Sequence, residues 1–194
     1  MIPRLVVASK NPDKVEEIEA VLGGSGVVGE VVRGLDWPEV DETGETLEEN
    51  ALLKARSVSE FVGLPAVADD TGLEVEALDG APGVRTARFA GPDATYASNV
   101  ERLLQLMEGV SHRRARFRTV VALVMPDGSE LVAEGALSGV IADTPRGSGG
   151  FGYDPVFEVE GVTLSEMGAE RKNSISHRAL AITALAESIR HGAP

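Results

Sequence analysis

Two adjacent carboxylates, Asp69 and Asp70, stand directly after the apolar stretch 65–68. A short apolar run of this kind predicts a buried strand, and ligand sites in open α/β sheets lie beyond the carboxyl ends of the strands. One carboxylate of such a pair can hold Mg²⁺ while the other orients or deprotonates a water molecule. Because Asp-Asp-Thr-Gly is made of turn-forming residues, an ordinary turn is the alternative interpretation.

The beginning of the chain predicts an anion site at a helix N-terminus. An apolar run at 5–8 indicates a strand, Asn11 is a good N-cap, and Pro12 suits the first helical position. Free backbone N–H groups and the positive end of the helix dipole favour an anion there. The polar residues around this position are Ser9, Lys10, Asn11, Asp13 and Lys14. The alternative is an ordinary strand–helix connection with solvated lysines.

A second acidic segment, 41–45, precedes another predicted helix. Thr46 and Glu49 have the spacing of a capping box, which begins that helix directly after the acidic loop. The loop takes part in catalysis if Glu42 joins Asp70 around one metal ion, and otherwise it is a solvated acidic loop. The distance between these two carboxylates depends on the fold.

The segment 147–155 combines glycines with two aromatic residues and an acid. Glycines let the backbone approach a ligand closely. Phe151 or Tyr153 could stack on a planar base, and Asp154 could accept a hydrogen bond from a ring N–H. The alternative is a glycine-rich loop whose aromatic side chains fill the core.

Three cations or hydrogen-bond donors, Lys172, His177 and Arg178, lie near the beginning of a helix predicted at 174–190. Donors at a helix N-terminus suit an anion or a ring that is rich in carbonyl groups. A surface pair of His177 and Arg178 is the alternative interpretation. Because no Ser–His–Asp order or His/Asp metal triad has usable spacing, nucleophilic catalysis has little support.

Composition narrows the class of protein. Hydrophobic residues make up 43% of the 194 residues and charged residues 25%, which are ordinary values for a globular protein. The net charge of −13 argues against a nucleic acid polymer as partner, because such binding needs broad basic surfaces. The absence of cysteine excludes disulfides and thiolate chemistry. With no apolar run long enough for a bilayer and no evident leader, we expect a cytoplasmic protein without membrane contact.

The apolar pattern predicts a single α/β domain over residues 1–194 with a mixed, twisted sheet. The segments 114–125 and 130–141, joined by Pro-Asp-Gly-Ser, are predicted to form a hairpin. Further strands are expected at 5–8, 27–32 and 65–68. Helices are expected at about 12–22, 46–62, 95–107 and 174–190. These elements place the polar segments at strand ends, in loops or at helix beginnings.

Five motifs occur in a specific order along the chain. They are Ser9-x-Asn11-x-x-Lys14, Glu42-Thr43-Gly44 with Glu49-Asn50-Ala51 and Lys54-Ala55, Ala68-Asp69-Asp70-Thr71-Gly72-Leu73, Gly149-Gly150-Phe151-Gly152-Tyr153-Asp154-Pro155, and Lys172-Asn173-x-Ile175-Ser176-His177-Arg178. In this order they resemble the inosine triphosphate pyrophosphatase family, whose members hydrolyse deaminated purine nucleoside triphosphates. Each motif alone is weak, whereas the five together span nearly the whole chain and are specific.

The resemblance implies roles for individual residues. Glu42 and Asp70 would hold Mg²⁺, and Asp70 would also accept the proton of the attacking water. Asp69 would have a supporting role. Residues implied to bind the triphosphate are Ser9, Lys10, Asn11, Pro12, Asp13, Lys14 and Lys54. Residues implied to contact the rest of the substrate are Thr71, Phe151, Gly152, Tyr153, Asp154, Lys172, His177 and Arg178, with Phe151 stacked on the purine.

The resemblance also implies an architecture and a reaction. The expected fold is an elongated mixed β-sheet flanked by helices, with two lobes around a central substrate cleft, and the protein would be a homodimer. The substrates would be ITP, dITP and XTP, each hydrolysed to the monophosphate and pyrophosphate with Mg²⁺ as cofactor.

Two other functions compete with this interpretation. Septum-inhibitor-like nucleotide pyrophosphatases, which act on pyrimidine or modified nucleotides, share the opening motif at 9–14. They lack the elements at 151–154 and 176–178, which argues against that class. A non-catalytic nucleotide-binding module is the second alternative, and it predicts no turnover of any triphosphate.

Overall fold

The computed structural model describes residues 1–192, and within this range the chain forms one eight-stranded sheet and five α-helices. The strands are β1 (Ile2–Val7), β2 (Val28–Val32), β3 (Ala66–Val75), β4 (Pro82–Gly83), β5 (Arg114–Val124), β6 (Glu130–Ile141), β7 (Phe157–Val159) and β8 (Val162–Thr163). The helices are α1 (Pro12–Ser25), α2 (Leu47–Val62), α3 (Tyr96–Leu106), α4 (Ala169–Ile175) and α5 (His177–Arg190). In the described part of the chain, no helix has the length and hydropathy needed to cross a membrane.

The sheet is mixed. Its order is β2-β1-β3-β5-β6-β7-β8, and β4 pairs with β3 outside this path. β1 runs parallel to β2 and β3, whereas β7 is antiparallel to β6 and β8. Parallel strands joined by helices and antiparallel strands therefore share one sheet. This confirms the predicted α/β class with a mixed sheet flanked by helices.

The chain divides into two compact units. The first unit contains Met1–Asp70, Thr119–Gly135 and the chain from His177 onward, and the second contains Thr71–Arg118 and Ala136–Ser176. That residues 1–194 form one domain stays a prediction. Residues 193 and 194 lie outside the described range.

The first unit is built around apolar side chains from β1, α1, β3, β5 and α5, including Leu5, Ile18 and Ile182. The Asn11 side chain caps α1 by accepting hydrogen bonds from the backbone N–H groups of Asp13 and Lys14. The capping box of Thr46 and Glu49 at the beginning of α2 is also present. Both predicted helix beginnings are confirmed, because each depends on residues that are neighbours in sequence.

β3 differs from its predicted extent. The sequence places a strand end and a turn at 69–72, whereas the strand continues without interruption to Val75. β3 lies between β1 and β5, and its residues 66–70 are all buried. The turn interpretation is therefore wrong, because burial of this segment and continuation of the strand into its pairing with β4 at Leu73 and Glu74 outweigh the turn propensity of Asp-Asp-Thr-Gly.

The core of the second unit contains buried apolar side chains from α3 and from the parts of β3, β5 and β6 that belong to this unit. Leu73, Leu103 and Phe157 are among its fully buried residues. The hairpin of β5 and β6 is confirmed. The helix predicted over 174–190 is interrupted, since α4 ends at Ile175 and Ser176 is extended with φ −64° and ψ 144°. Serine side chains compete for backbone hydrogen bonds and favour helix ends, which is consistent with a break at this position.

Candidate active site

Two carboxylates in the first unit converge on one ammonium group. Lys54 Nζ on α2 lies 2.7 Å from Glu42 Oε1, in the loop before α2, and 3.5 Å from Asp70 Oδ1 on β3. Burial alone would lower the pKa of Lys54, but the nearby carboxylates of Asp70, Asp69 and Glu42 outweigh it and raise that pKa. Lys54 therefore stays protonated, and the fold brings together the Glu42–Asp70 pair that sequence reasoning left open.

Asp70 is held through both of its carboxylate oxygens. While Oδ1 faces Lys54, Oδ2 accepts a hydrogen bond of 3.2 Å from the side-chain amide of Asn50. Burial raises the pKa of Asp70, and the effect of burial exceeds the opposing effect of the Lys54 charge. A carboxylate whose pKa is raised in a polar cluster suits the acceptance of a proton.

Asp69 has the opposite electrostatic character. Successive side chains of a strand point to opposite faces, so Asp69 and Asp70 meet different partners. Asp69 Oδ2 lies 3.1 Å from Lys14 Nζ and accepts a 3.0 Å hydrogen bond from Arg178 Nε. Burial would raise the pKa of Asp69, but the charges of Lys14 and Arg178 outweigh it and hold that pKa well below its usual range. Asp69 is thus a buried counter-ion.

The carboxylate pair fits a magnesium ion of a particular kind. Within residues 1–192, no group of three or more His, Cys, Asp or Glu side chains is suited to hold a metal. Mg²⁺ usually keeps several water ligands and is bound by one or two carboxylates together with substrate phosphates. Glu42 and Asp70 offer hard oxygen atoms near each other, since one oxygen of each lies within 3.5 Å of Lys54 Nζ. The residues present fit Mg²⁺ that completes its coordination with water and phosphate.

The predicted anion site at α1 is partly occupied by the protein itself. The Asn11 side chain already accepts from the N–H groups of residues 13 and 14, and the Ser9 hydroxyl accepts from the N–H of Asn11. Lys10 and Pro12 are exposed, whereas Lys14 is mostly buried and its pKa is lowered chiefly by burial. The backbone amides of residues 13 and 14 are therefore less available to an anion than the sequence suggested. Lys14 is the lysine of this segment that reaches the carboxylates.

A separate cluster forms in the second unit around Phe151. Asp154 Oδ2 accepts a 2.8 Å hydrogen bond from the backbone N–H of Phe151 and a 2.7 Å hydrogen bond from Lys172 Nζ. Lys172 Nζ also lies 5.0 Å from the centroid of the Phe151 ring. Gly150, with φ +71°, has no room for a Cβ beside the Asp154 carboxylate. The glycine-rich loop thus folds tightly around Asp154 and joins three of the predicted substrate-binding residues.

Tyr153 belongs to the core. Its side chain is buried, and its hydroxyl donates a 3.0 Å hydrogen bond to the carbonyl of Thr86. Of the two aromatic residues proposed for stacking, Phe151 is the accessible one. Its ring centroid lies 5.8 Å from that of Tyr96 on α3, a residue that sequence reasoning missed. Both rings line a cavity of about 670 Å³, a volume in the range of small-ligand sites.

His177 and Arg178 are buried, so the surface-pair interpretation is wrong. The Nδ1 atom of His177 lies 2.6 Å from the Thr119 hydroxyl on β5. The Arg178 guanidinium bonds to Asp69 and to Glu17 on α1, within the first unit. A contact of His177 or Arg178 with the base stays a prediction, as does one of Thr71 or Gly152.

Sequence reasoning missed several partners of the predicted residues. They are Glu17, Asn50, Tyr96 and Thr119. A usable signal exists for Asn50, because it is a polar residue on the buried face of α2 beside Leu47 and Ala51. Comparable signals are absent for Glu17 and Thr119, whose partners are more than fifty positions away in sequence.

Comparison with known proteins shows the family of this chain. Residues 5–188 match the model of the Ham1 family. A dITP/XTP pyrophosphatase of Porphyromonas gingivalis is 52% identical, with 94% of this chain and 95% of that protein covered. A dITP/XTP pyrophosphatase of Geobacter sulfurreducens is 47% identical, with 96% of each covered.

Solved structures show the same likeness. A HAM1 protein from Coxiella burnetii superimposes with a TM-score of 0.88 at 37% identity, covering 98% of this chain and all (100%) of that one. A structure from Mycobacterium abscessus described as a nucleoside-triphosphatase or dITP/XTP pyrophosphatase has a TM-score of 0.73 at 43% identity, covering 94% and 97%. The family resemblance drawn from the five motifs is confirmed, and this chain belongs to the Ham1 family.

Proposed function

We propose that this protein is a nucleoside-triphosphate pyrophosphatase that hydrolyses deaminated purine triphosphates, namely dITP, ITP and XTP, to the monophosphate and pyrophosphate. The observation that carries the proposal is the convergence of Glu42 and Asp70 on Lys54, which supplies oxygen ligands for Mg²⁺ and a cation for phosphate at one place. The names of the relatives, dITP/XTP pyrophosphatases, support the substrate class.

The reaction needs a proton acceptor and a binding site for the leaving group. Asp70 would accept a proton from the water that attacks the α-phosphorus, a role that its buried position and its hydrogen bond from Asn50 support. An O–P bond forms, the bond from the α-phosphorus to the α,β-bridging oxygen breaks, and pyrophosphate leaves. Lys54 and Lys14 bind the polyphosphate oxygens, and Asp69 keeps Lys14 in place. Glu42 and Asp70 would hold Mg²⁺, which would supply positive charge beside the phosphate oxygens.

Base selection rests on the difference between a 6-carbonyl and a 6-amino group. Phe151 stacks on the purine, and Lys172 donates a hydrogen bond to the 6-carbonyl of hypoxanthine or xanthine. Adenine would place its amino donor against the Lys172 ammonium and leave polar groups unpaired, at a cost of roughly 1–3 kcal/mol for each group. His177 and Arg178 are the other proposed readers of this edge.

The products distinguish this function from its alternatives. With dITP and Mg²⁺, we expect dIMP and pyrophosphate as first products and no reaction after chelation of the metal. Separate assays for phosphate and pyrophosphate over a panel of triphosphates provide the measurement. dIDP and orthophosphate as first products would refute the mechanism. A preference for pyrimidine substrates would favour the septum-inhibitor-like class, and no turnover would favour a binding module.

Removing the Lys172 ammonium is expected to reduce discrimination between bases. For Lys172→Met, we expect kcat/KM for dITP to fall at least about tenfold more than kcat/KM for dATP, the cost of one hydrogen bond to a charged donor. Both substrates are assayed on one preparation, so the ratio is independent of the folded fraction. An unchanged ratio would contradict base reading by Lys172.

The same ratio tests the role proposed for Arg178. A smaller dITP/dATP ratio in Arg178→Ala supports contact with the base. A proportional loss on all triphosphates instead assigns Arg178 to the carboxylate cluster, where it bonds to Asp69 and Glu17.

The family resemblance also supports a homodimer, and the cytoplasmic location stays a prediction. The net charge of −13 argues against a nucleic acid polymer as the partner and is compatible with a small nucleotide. Light scattering coupled to size-exclusion chromatography measures the oligomeric state directly.

A further inference from the structure

Asn50 is the most deeply buried polar residue of the carboxylate cluster, with no exposed surface (0%). Its Nδ2 donates a 3.2 Å hydrogen bond to Asp70 Oδ2 on β3, and its Oδ1 accepts a 2.8 Å hydrogen bond from the backbone N–H of Gly44. One side chain on α2 therefore joins the strand that carries Asp70 to the loop that carries Glu42.

The chemistry at each end requires an amide. Gly44 presents an N–H donor and needs an acceptor, whereas the Asp70 carboxylate accepts only and needs a donor. Asn50 supplies the acceptor and the donor from a single planar group. Because Asp70 Oδ1 faces Lys54 and Oδ2 faces Asn50, the two contacts together restrict rotation of the carboxylate.

The other end of the bridge lies two residues from Glu42. The backbone N–H groups of Glu45 and Thr46 donate to Glu49 Oε2, at 2.7 and 3.1 Å, so three successive amides of this loop are bonded to side chains of α2. A Cβ at Gly44 would lie 2.6 Å from Asn50 Oδ1 and 2.7 Å from the Cβ of Glu49. The loop approaches α2 as closely as the backbone allows.

Asparagine is a poor choice for this position on structural grounds alone. It is a weaker helix former than alanine or leucine, and a buried amide destabilises the fold unless it is hydrogen-bonded. The buried neighbours on the same face of α2, Leu47 and Ala51, are apolar. The two hydrogen bonds of Asn50 offset these costs; one ends on Asp70 and the other on Gly44, two residues from Glu42.

We propose that Asn50 is a positioning residue that preassembles this site, by fixing Asp70 and the loop of Glu42 relative to each other before metal and triphosphate bind. The inference rests on the proposed function, since it assigns Glu42 and Asp70 to the metal. It concerns the protein without substrate, so it is measurable without turnover.

The test compares Asn50→Ala with a matched buried asparagine. Asn99 on α3, in the second unit, is 3% exposed, accepts from the N–H of Ala90 and donates to the carbonyl of Ala87. Mn²⁺ binding to each protein is measured without nucleotide by electron paramagnetic resonance, alongside thermal melting. Partners of metal ligands typically contribute about 10- to 100-fold to metal affinity. We expect Mn²⁺ affinity to fall by that factor in Asn50→Ala and to be unchanged in Asn99→Ala, although both variants lose stability.

Gly44→Ala perturbs the same bridge from its other end, and it decides the question if Asn50→Ala does not fold. Its added Cβ displaces the Asn50 amide, so a similar loss of Mn²⁺ affinity is expected. Wild-type affinity in the bridge variants, or equal losses in Asn50→Ala and Asn99→Ala, would overturn the inference. Absence of Mn²⁺ binding to the wild-type protein without nucleotide would also overturn the inference.

Activity separates the inference from the proposed function. The Mg²⁺ concentration for half-maximal hydrolysis of dITP is expected to rise by a similar factor in Asn50→Ala. If the wild-type protein hydrolyses no triphosphate while Mn²⁺ affinity still depends on Asn50, the proposed function fails and the positioning role stands. If Mg²⁺-dependent hydrolysis occurs and Asn50→Ala retains both affinity and Mg²⁺ requirement, the positioning role alone fails.

Discussion

Asp70→Asn is expected to lower kcat for dITP by at least about 100-fold, since general-base catalysis contributes about 10²–10⁴-fold and one ligand of the metal is weakened as well. The amide keeps the shape of the carboxylate and still offers an oxygen to Lys54, while its NH₂ group then faces the donor amide of Asn50 and that one hydrogen bond is lost. Burial already disfavours the charged form of Asp70, so removal of the charge does not deprive the fold of a strong ion pair. Steady-state kinetics at saturating Mg²⁺ provides the measurement.

The control for Asp70→Asn is its melting temperature, which we expect to fall by less than that of Asp69→Asn, because one buried hydrogen bond is lost and no shared counter-ion. Together, the two measurements separate lost chemistry from lost folding. Turnover close to the wild-type value would contradict the assignment of Asp70 and move the proton acceptor to another residue.

Asp69→Asn is expected to have the complementary effect and to lower the free energy of unfolding by about 3 kcal/mol. The substitution leaves the buried cations Lys14 and Arg178 without their shared counter-ion, and breaking a buried ion pair typically costs about 3–5 kcal/mol. Arg178 keeps Glu17, which places the expected loss at the lower end of that range. Urea denaturation at neutral pH measures the change.

The effect of Asp69→Asn depends on pH in a defined direction. Because the folded protein lowers the pKa of Asp69, its contribution to stability is fully present above the unfolded pKa of about 3.9 and decreases as the pH falls below it. The stabilities of wild type and variant should therefore converge in acid. Asp70→Asn under the same conditions is the matched control. An equal loss of stability in both variants would contradict the division of roles between the two aspartates.

Features that depend on residues close together in the chain are predictable from the amino-acid sequence. The N-cap of Asn11, the capping box of Thr46 and Glu49, and the hairpin turn at 126–129 each involve contacts over two to four positions. Such contacts form whenever the local segment adopts its structure, so residue type and spacing predict them. The order of the five motifs likewise identified the family.

Local patterns predicted the wrong conformation in two regions. The turn-forming residues at 69–72 lie inside β3, because the strand continues through them as part of the buried sheet. The helix predicted over 174–190 is broken at Ser176, which is extended between α4 and α5. The first difference follows from burial among distant segments, whereas the second is consistent with the local preference of serine for helix ends.

The tertiary structure alone decided which of the candidate residues act together. Adjacent aspartates on a strand face opposite sides, so Asp69 meets Arg178, 109 positions away, while Asp70 meets Lys54 and Asn50 on α2. These partners differ in charge and burial, and for that reason one carboxylate becomes a permanent counter-ion and the other can take up a proton. A distance between residues far apart in sequence depends on strand order and helix packing, which no local pattern encodes.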